Sequence, residues 1–521
     1  MSGKIYSLTI MSISGDKMLG RIIGKNSTEI VFRYPYGKNV KIGEILAAED
    51  EENNSLFFLR VIDLQYGQEG SERWGLRAAG EMMMLDEMEQ PYSMREKERR
   101  LFKIGVCAPL GYIHDGIFRK PKAIPSHFSK VRRADGGDYE FLKKDAGDIE
   151  IGRLRSGERE VDVVVGLAGK LIPYHIGIFA TTGMGKSNLM RVFAASVMGN
   201  GKYGLLIIDP HGEYYEGGEG TKGLKHHPMA GSALVVYSPH HLSGPHNTLK
   251  ISAYEITVGD VQNIFSFTDA QRDALYAMAS RFGKEWLVKL CETESDELVN
   301  VFSDRIHSMT FNVLKRRAER IIESEIIHKD ESVAATDTIL GHLNKGKVVL
   351  VDTSGLYEYE ELLVGVIIAR KILTYNKNAY RNKEKFGKLP PVLITMEEAQ
   401  RVLKGEGAFA QIAREGRKFK VGLCAITQQP KLVKEELLSQ FNTFFILGLA
   451  DEGDRNMIKS SAKQDISKIE KEIQTLEAGE ALITYPGAPF AIPAKIYWYD
   501  DYIKKFRGTE KEGMKVDDGF Y

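Results

Sequence analysis

"ATTGMGKSNLMRVF", residues 180–193, departs by one residue from the phosphate-loop pattern G-x-x-x-x-G-K-[ST], with Ala180 where the first glycine belongs. The apolar run "IGIFA" (176–180) precedes it and the helical "NLMRVFAASVM" follows. That is the strand–loop–helix setting in which backbone N–H groups at a helix N-terminus hold phosphate. The nest would be built from Gly183, Met184, Gly185, Lys186 and Ser187, with Thr182 and Asn188 flanking it. Lys186 would reach the β- and γ-phosphates of ATP, and the Ser187 hydroxyl would bind Mg²⁺. The first glycine of the pattern mainly ends the strand, whereas phosphate must approach closely at Gly183 and Gly185. Alanine at 180 therefore fits, provided its φ is negative.

Outward from this loop the apolar runs stand alone: "GLLIID" (204–209), "ALVVY" (233–237), "VVLVD" (348–352), "PVLITM" (391–396), "VGLCAIT" (421–427), "FFILGL" (444–449) and "EALITY" (480–485). Continuous apolar strands are what a mostly parallel sheet buried on both faces requires. With helical segments between them, the expected class is α/β with a P-loop core over 166–254 and 341–500. Between these parts, 255–340 repeats apolar residues at three- and four-residue spacing and reads as an all-helical insertion. Residues 1–85 read as short strands between turns, beginning with "KIYSLTI", and suggest a small β-barrel or sandwich. Residues 86–165 read as a connecting region with a charged helix and a basic linker, and 501–521 as a polar extension.

Hydrolysis needs acids at the end of a neighbouring strand. "VLITMEE" supplies Glu397 and Glu398 directly after an apolar run. Glu397 suits the metal side and Glu398 the general base that polarises the attacking water. The plain alternative is that both simply begin a helix favourably. Asp209, closing "LLIID", competes for the metal side or supports the site from behind, with His211 and Glu213 in the next turn. Thr427 and Gln428 follow another strand, where a polar side chain can sense the γ-phosphate. Arg414, Arg417, Lys418 and Lys420 precede that strand, and a neighbouring subunit's site is the natural destination for such a cation.

The chain has 521 residues, 43% hydrophobic and 27% charged, which suits several folded units and excludes wholesale disorder. Three widely spaced cysteines fit neither a disulfide framework nor paired metal ligands. No leader-like h-region opens the sequence and no run approaches a membrane span, so a soluble, cytoplasmic protein is expected. With 71 Lys+Arg against 71 Asp+Glu, no global basic field points to a nucleic acid.

In order and spacing, "YHIGIFATTGMGKSN", "LLIIDPHGEY", "VLITMEEAQR", "IAREGRKFKVGLCAITQQP" and "GEALITYPGAPFAIPAKI" resemble the HerA family of hexameric DNA translocases, in the FtsK–HerA branch of RecA-like motors. The resemblance covers nearly the whole chain. It implies a RecA-like ATPase core, an N-terminal β-barrel, a helical insertion and a homohexameric ring that moves double-stranded DNA with a NurA-like nuclease as partner. It implies Glu398 as catalytic glutamate, Gln428 as sensor, Arg417 as the finger supplied in trans, and Lys495 as a late nucleotide contact. Three positions depart from the family: Ala180 for glycine, Tyr174 for a basic residue, and Gln429 for the arginine of T-Q-R-P.

Six copies would reconcile a neutral chain with a polyanionic substrate, because a few inward lysines per subunit become a ring of charge. Lys222, Lys225 and Lys404, on strand-exit loops, are the candidates. Two other readings stay open: a type IV secretion-like ATPase, and an ATP-switched DNA clamp.

Overall fold

The computed structural model describes residues 18–69, 72–88, 100–143, 146–302, 306–403 and 406–511. The run "KIYSLTI", Lys404 and residues 512–521 of the polar C-terminal extension lie outside the described residues.

The apolar runs assemble into one twelve-stranded sheet. Its parallel part runs Asn247–Thr248, Leu234–Ser238, Val348–Asp352, Gly204–Asp209, Val392–Met396, Val421–Thr427, Ile176–Ala180 and Thr443–Leu447. Antiparallel strands Glu480–Thr484, Ile492–Ile496, Ile149–Ser156 and Arg159–Leu167 extend it. Successive side chains of a strand point to opposite faces, and both faces here are covered. Leu206 and Ile208 pack in one core, whereas Leu205 and Ile207 pack in the other. An alternating sequence would have left one face polar, so the unbroken apolar runs dictate the doubly covered sheet.

The insertion carries helices Val258–Ile264, Asp269–Phe282, Trp286–Glu292, Ser295–Val301 and Ser308–Ile322. Thr257 and Thr268 cap the first two, each side chain accepting a backbone N–H of its first turn. In the last, Phe311, Leu314, Ala318 and Ile321 are buried, which is the helical spacing of one apolar face. A two-residue strand, Ile327–His328, pairs with Ile251–Ser252 and stitches the end of the insertion to its start.

The N-terminal sheet closes on itself, because Ile30–Pro35 pairs with both Met18–Lys25 and Leu101–His114. Its other strands are Ile45–Asp50, Ser55–Gln68, Ile117–Arg119 and Lys130–Arg133. The sheet therefore draws strands from well beyond residue 85. The basic stretch that reads as a linker supplies the strand Lys130–Arg133, set between Met18–Lys25 and Ile45–Asp50. Its charge is spent locally: Arg132 pairs with Glu49 and Asp138, and Arg133 with Glu44. One apolar residue, Val131, anchors that strand in the barrel core, too short a signal to stand out among three basic neighbours.

Barrel and ATPase core meet through buried charges. The Arg60 and Arg155 guanidiniums lie 3.7 Å and 2.6 Å from the two carboxylate oxygens of Glu472. Among the described residues, no helix is long and apolar enough to cross a membrane.

Candidate nucleotide site

Ala180 ends its strand fully buried and is absent from the positive-φ residues, so the alanine meets the condition set by the sequence. The strain of the loop falls instead on Gly183 and Gly185, with φ of +81° and +97°. Nothing lies within 4 Å of where a Cβ of Gly183 would sit, and the nearest atom to one at Gly185 is Gly479 N at 3.5 Å. The loop is thus an open cradle floored by the turn at 477–479, whose Gly479 N–H donates to Met184 O at 3.2 Å. Thr181 N–H donates to Gly448 O at 3.1 Å and fastens the strand exit to the next strand.

Lys186 Nζ lies 3.3 Å from Thr181 O and 3.4 Å from Ala180 O. Burial pulls its pKa below the ordinary lysine value, opposed by the charges of Glu397, Glu398 and Glu213. Three carboxylates thus face the phosphate-loop lysine, brought there by two strands. Ser187 Oγ donates to Glu213 Oε2 at 3.2 Å. Thr182 Oγ1 donates to Gln428 Oε1 at 2.6 Å.

Glu397 is the more enclosed of the two adjacent acids. The Tyr214 hydroxyl donates to it, and His211 Nε2 stands 3.7 Å away. Burial raises its pKa above the usual carboxylate range, while the Tyr214 bond works in the opposite direction. Glu398 sits in the left-handed region at φ +46°, a conformation uncommon for a non-glycine residue and frequent at functional sites. Gln400 Nε2 donates to Glu398 Oε2 at 2.6 Å, and Gln400 Oε1 accepts from Thr427 Oγ1 at 2.7 Å. A relay of polar side chains therefore links Glu398 to the strand end that carries Gln428.

Asp209 does not point at the loop. It is buried and accepts the backbone N–H groups of His211, Gly212 and Tyr214 at 3.2, 2.9 and 2.9 Å. It shapes the turn that delivers Glu213 and Tyr214, and burial raises its pKa. The Asn188 amide is likewise committed, donating to Tyr497 O at 2.8 Å and accepting Tyr499 N–H at 3.0 Å. That pairing makes Asn188 a strut between the phosphate-loop helix and the C-terminal segment, not a group free to meet phosphate. Lys495 Nζ lies 3.4 Å from Ala478 O and 3.8 Å from Glu480, beside the turn that floors the cradle.

Sequence reasoning gave no role to Tyr214 or Gln400. Both stand inside strings it quoted, but their partners Glu397 and Glu398 lie on different segments or in an unusual backbone conformation, so spacing carries no sign of them. Of the lysines on strand-exit loops, Lys225 is held by Glu216 and by Ser243 at 2.9 Å. The Lys222 backbone N–H is tied to Asp500 at 3.0 Å.

Arg417 lies at the opposite end of the sheet from the cradle. It belongs to the turn Gly416–Phe419, which enters the strand Val421–Thr427, whereas the cradle lies at that strand's exit. A strand of 7 residues spans roughly 20 Å. Arg417 cannot reach the phosphate loop of its own subunit across that distance.

The donor atoms around Ser187 are hydroxyl and carboxylate oxygens, the set a hard divalent cation such as Mg²⁺ takes. Among the described residues no three His, Cys, Asp or Glu gather as a metal site.

The doubly covered sheet, the cradle at the exit of Ile176–Ala180 and the acids two strands away define a RecA-like P-loop ATPase. Residues 149–372 match the family model described as "Helicase HerA, central domain". The chain is 27% identical over 447 residues to the DNA double-strand break repair helicase HerA of Sulfurisphaera tokodaii, covering 81% of this chain and 80% of that one. It is 25% identical over 422 residues to that of Pyrococcus furiosus, covering 70% and 72%. Among solved structures it is similar to the plasmid coupling protein TrwB in complex with ADP and Mg²⁺, with a TM-score of 0.47 at 14% identity, covering 70% of this chain and 93% of that one. The chain is thus similar to the HerA helicases over most of its length, and residues 149–372 match the central domain of that family.

Proposed function

We propose that the protein is an ATP-driven motor that works as a homohexamer on double-stranded DNA in the cytoplasm, in DNA-end processing with a NurA-like nuclease. One observation carries the ring: the cradle and its acids lie at one end of the central strands, and Arg417 lies at the other. A complete site therefore needs a second copy of the chain, whose Arg417 would meet the γ-phosphate and stabilise the charge that develops there, an effect worth roughly 10³–10⁵ in rate. Within one subunit Lys186 would bind the β- and γ-phosphates, Glu398 would take a proton from the attacking water, and Gln428 would report the γ-phosphate to the loop through Thr182. Ser187 and Glu397, with Glu213 beside them, would hold Mg²⁺, which when bound neutralises charge on the β- and γ-phosphates. The names of the curated relatives support DNA as the polymer moved.

The grip on DNA would be sequence-independent and would weaken steeply with salt, because phosphate contacts release counterions. Lys222, with Lys404 from a segment outside the described residues, is the first candidate for that contact. Lys225, already paired with Glu216, is the weaker one.

The test is the ATPase rate with and without linear duplex DNA, on protein whose mass is measured by light scattering. Stimulation by DNA on a hexamer is expected. A monomer whose turnover ignores DNA would sink the motor reading.

A further inference from the structure

The geometry points to Tyr174 as a positioning residue for Arg417, holding the guanidinium aimed, with no acid beside it among the described residues, before a neighbouring subunit arrives. This rests on the reading that Arg417 acts on the neighbour's nucleotide. The Arg417 Cζ lies 4.0 Å from the centre of the Tyr174 ring, and its Nη2 donates to the Tyr174 hydroxyl at 3.0 Å. Among the described residues Arg417 makes no ion pair, although its neighbour Arg414 pairs with Glu436.

The choice of partner matters. A carboxylate would cancel the charge that has to meet phosphate, and a second cation would push it away. An aromatic face attracts the guanidinium without neutralising it and occupies one of its five N–H donors through the hydroxyl. An exposed arginine otherwise samples many rotamers, and that freedom is lost when it docks.

Tyr174 is itself held firmly. It closes the short helix Gly169–Tyr174, which contains Pro173, and the residue after it, His175, takes φ +62°. A non-glycine residue keeps such a conformation only when its surroundings over-determine it. Here the buried His175 imidazole accepts Leu423 N–H at 3.0 Å, and the Tyr174 carbonyl accepts Asn442 N–H at 3.0 Å. Both flanking strands thus fix the backbone at 174–175. Asn376 Nδ2 in turn donates to Phe419 O at 2.7 Å and pins the turn that bears Arg417.

The experiment measures kcat and KM for ATP, with DNA present, in Tyr174→Phe, Tyr174→Leu, Arg417→Ala and the Tyr174→Leu/Arg417→Ala pair, with ring size and Tm as controls. Tyr174→Leu is expected to lower kcat about three- to tenfold, the scale of an exposed cation–π contact plus one hydrogen bond, with KM for ATP little changed. Tyr174→Phe, which keeps the ring, should recover most of the loss. In the Arg417→Ala background Tyr174→Leu should cost nothing further. Equal activity of Tyr174→Leu and wild type, equal loss in the Phe and Leu variants, or an additive double variant would each overturn the inference. If Tyr174→Leu does not fold, the Phe variant decides: a loss as large as that of Arg417→Ala overturns it. Full activity of Arg417→Ala overturns the finger reading itself, whatever Tyr174 does.

Discussion

Thr182 on the phosphate loop and Gln428 at the exit of the adjacent strand are joined by a hydrogen bond of 2.6 Å across 246 residues of sequence. The loop proposed to hold phosphate and the residue proposed to sense it are therefore one mechanical unit. Strand Ile176–Ala180 pairs with Val421–Thr427 so that Phe179 lies opposite Thr427, which brings the two exits side by side. Thr182→Val should lower kcat only a few-fold, the scale of one neutral hydrogen bond. Gln428→Ala, which also removes the group proposed to face the γ-phosphate, should cost about 10²-fold. Equal losses in the two variants would mean that Gln428 acts only by bracing the loop.

Glu398→Gln should retain ATP binding and lose about 10²–10⁴-fold in turnover, the usual weight of a general base. Lys186→Ala should instead lose binding. Nucleotide binding followed by fluorescence, beside steady-state ATPase rates, separates the two. A Glu398→Gln protein that hydrolyses ATP normally would transfer the base role to another acid.

Tyr214→Phe tests the setting of Glu397. The phenol bond lowers the Glu397 pKa against the effect of burial, so removing it lets the pKa rise further. The carboxylate, not the acid, can take a cation, so activity should be lost at a higher pH as the solution is made acidic. In a pH–rate profile, the acid limb of kcat for Tyr214→Phe should lie at higher pH than that of wild type. Superimposable acid limbs would show that Glu397 is not tuned by Tyr214.

The joint between barrel and core hangs on Glu472, the acid shared by the two buried guanidiniums of Arg60 and Arg155. Removing it leaves Arg60 with no acid among the described residues and Arg155 with only Glu480, 3.9 Å away, and Glu472→Ala should cost about 3–5 kcal/mol in stability. Thermal unfolding of the whole chain measures this. A change within about 0.5 kcal/mol, the scatter of an ordinary surface substitution, would contradict a structural role for the pair.

Burial draws the His175 imidazole down to about 4, whereas in the unfolded chain it titrates near 6.5. The folded state therefore binds this proton less tightly than the unfolded one. Its contribution is complete above about pH 6.5 and is lost as pH falls from there towards 4, a loss of about 3 kcal/mol at the acid end. Denaturant midpoints between pH 7.5 and pH 5 (roughly the span of that window) should fall in wild type and fall less in His175→Gln. Parallel pH dependences in the two proteins would rule out His175 as the source.

The core was legible because its signals are local. Each of the apolar runs is long enough to cross a sheet buried on both faces, and G-x-G-K-S between a strand and a helix has one physical use. The barrel was only half legible. Its closing strand, Lys130–Arg133, carries a single core residue among basic side chains that are neutralised by Glu44, Glu49 and Asp138, all distant in sequence or on another turn. Asn188 reads as a flank of the phosphate nest from its neighbourhood in the motif, yet backbone partners already satisfy its side chain. Asp209, read either as a metal-side acid or as support from behind, has its carboxylate taken up by backbone N–H groups of the next turn.

By itself the sequence determined the α/β class, the position of the phosphate cradle and the pair of acids, because apolar periodicity and loop chemistry act over a few residues. The tertiary structure alone decided which groups those residues meet. Strand order set Tyr214 against Glu397 and Thr182 against Gln428, and it left Arg417 at the far end of the strands, stacked on Tyr174. Sequence spacing cannot express such pairings, since parallel strands joined by long crossovers bring together residues that share no local pattern.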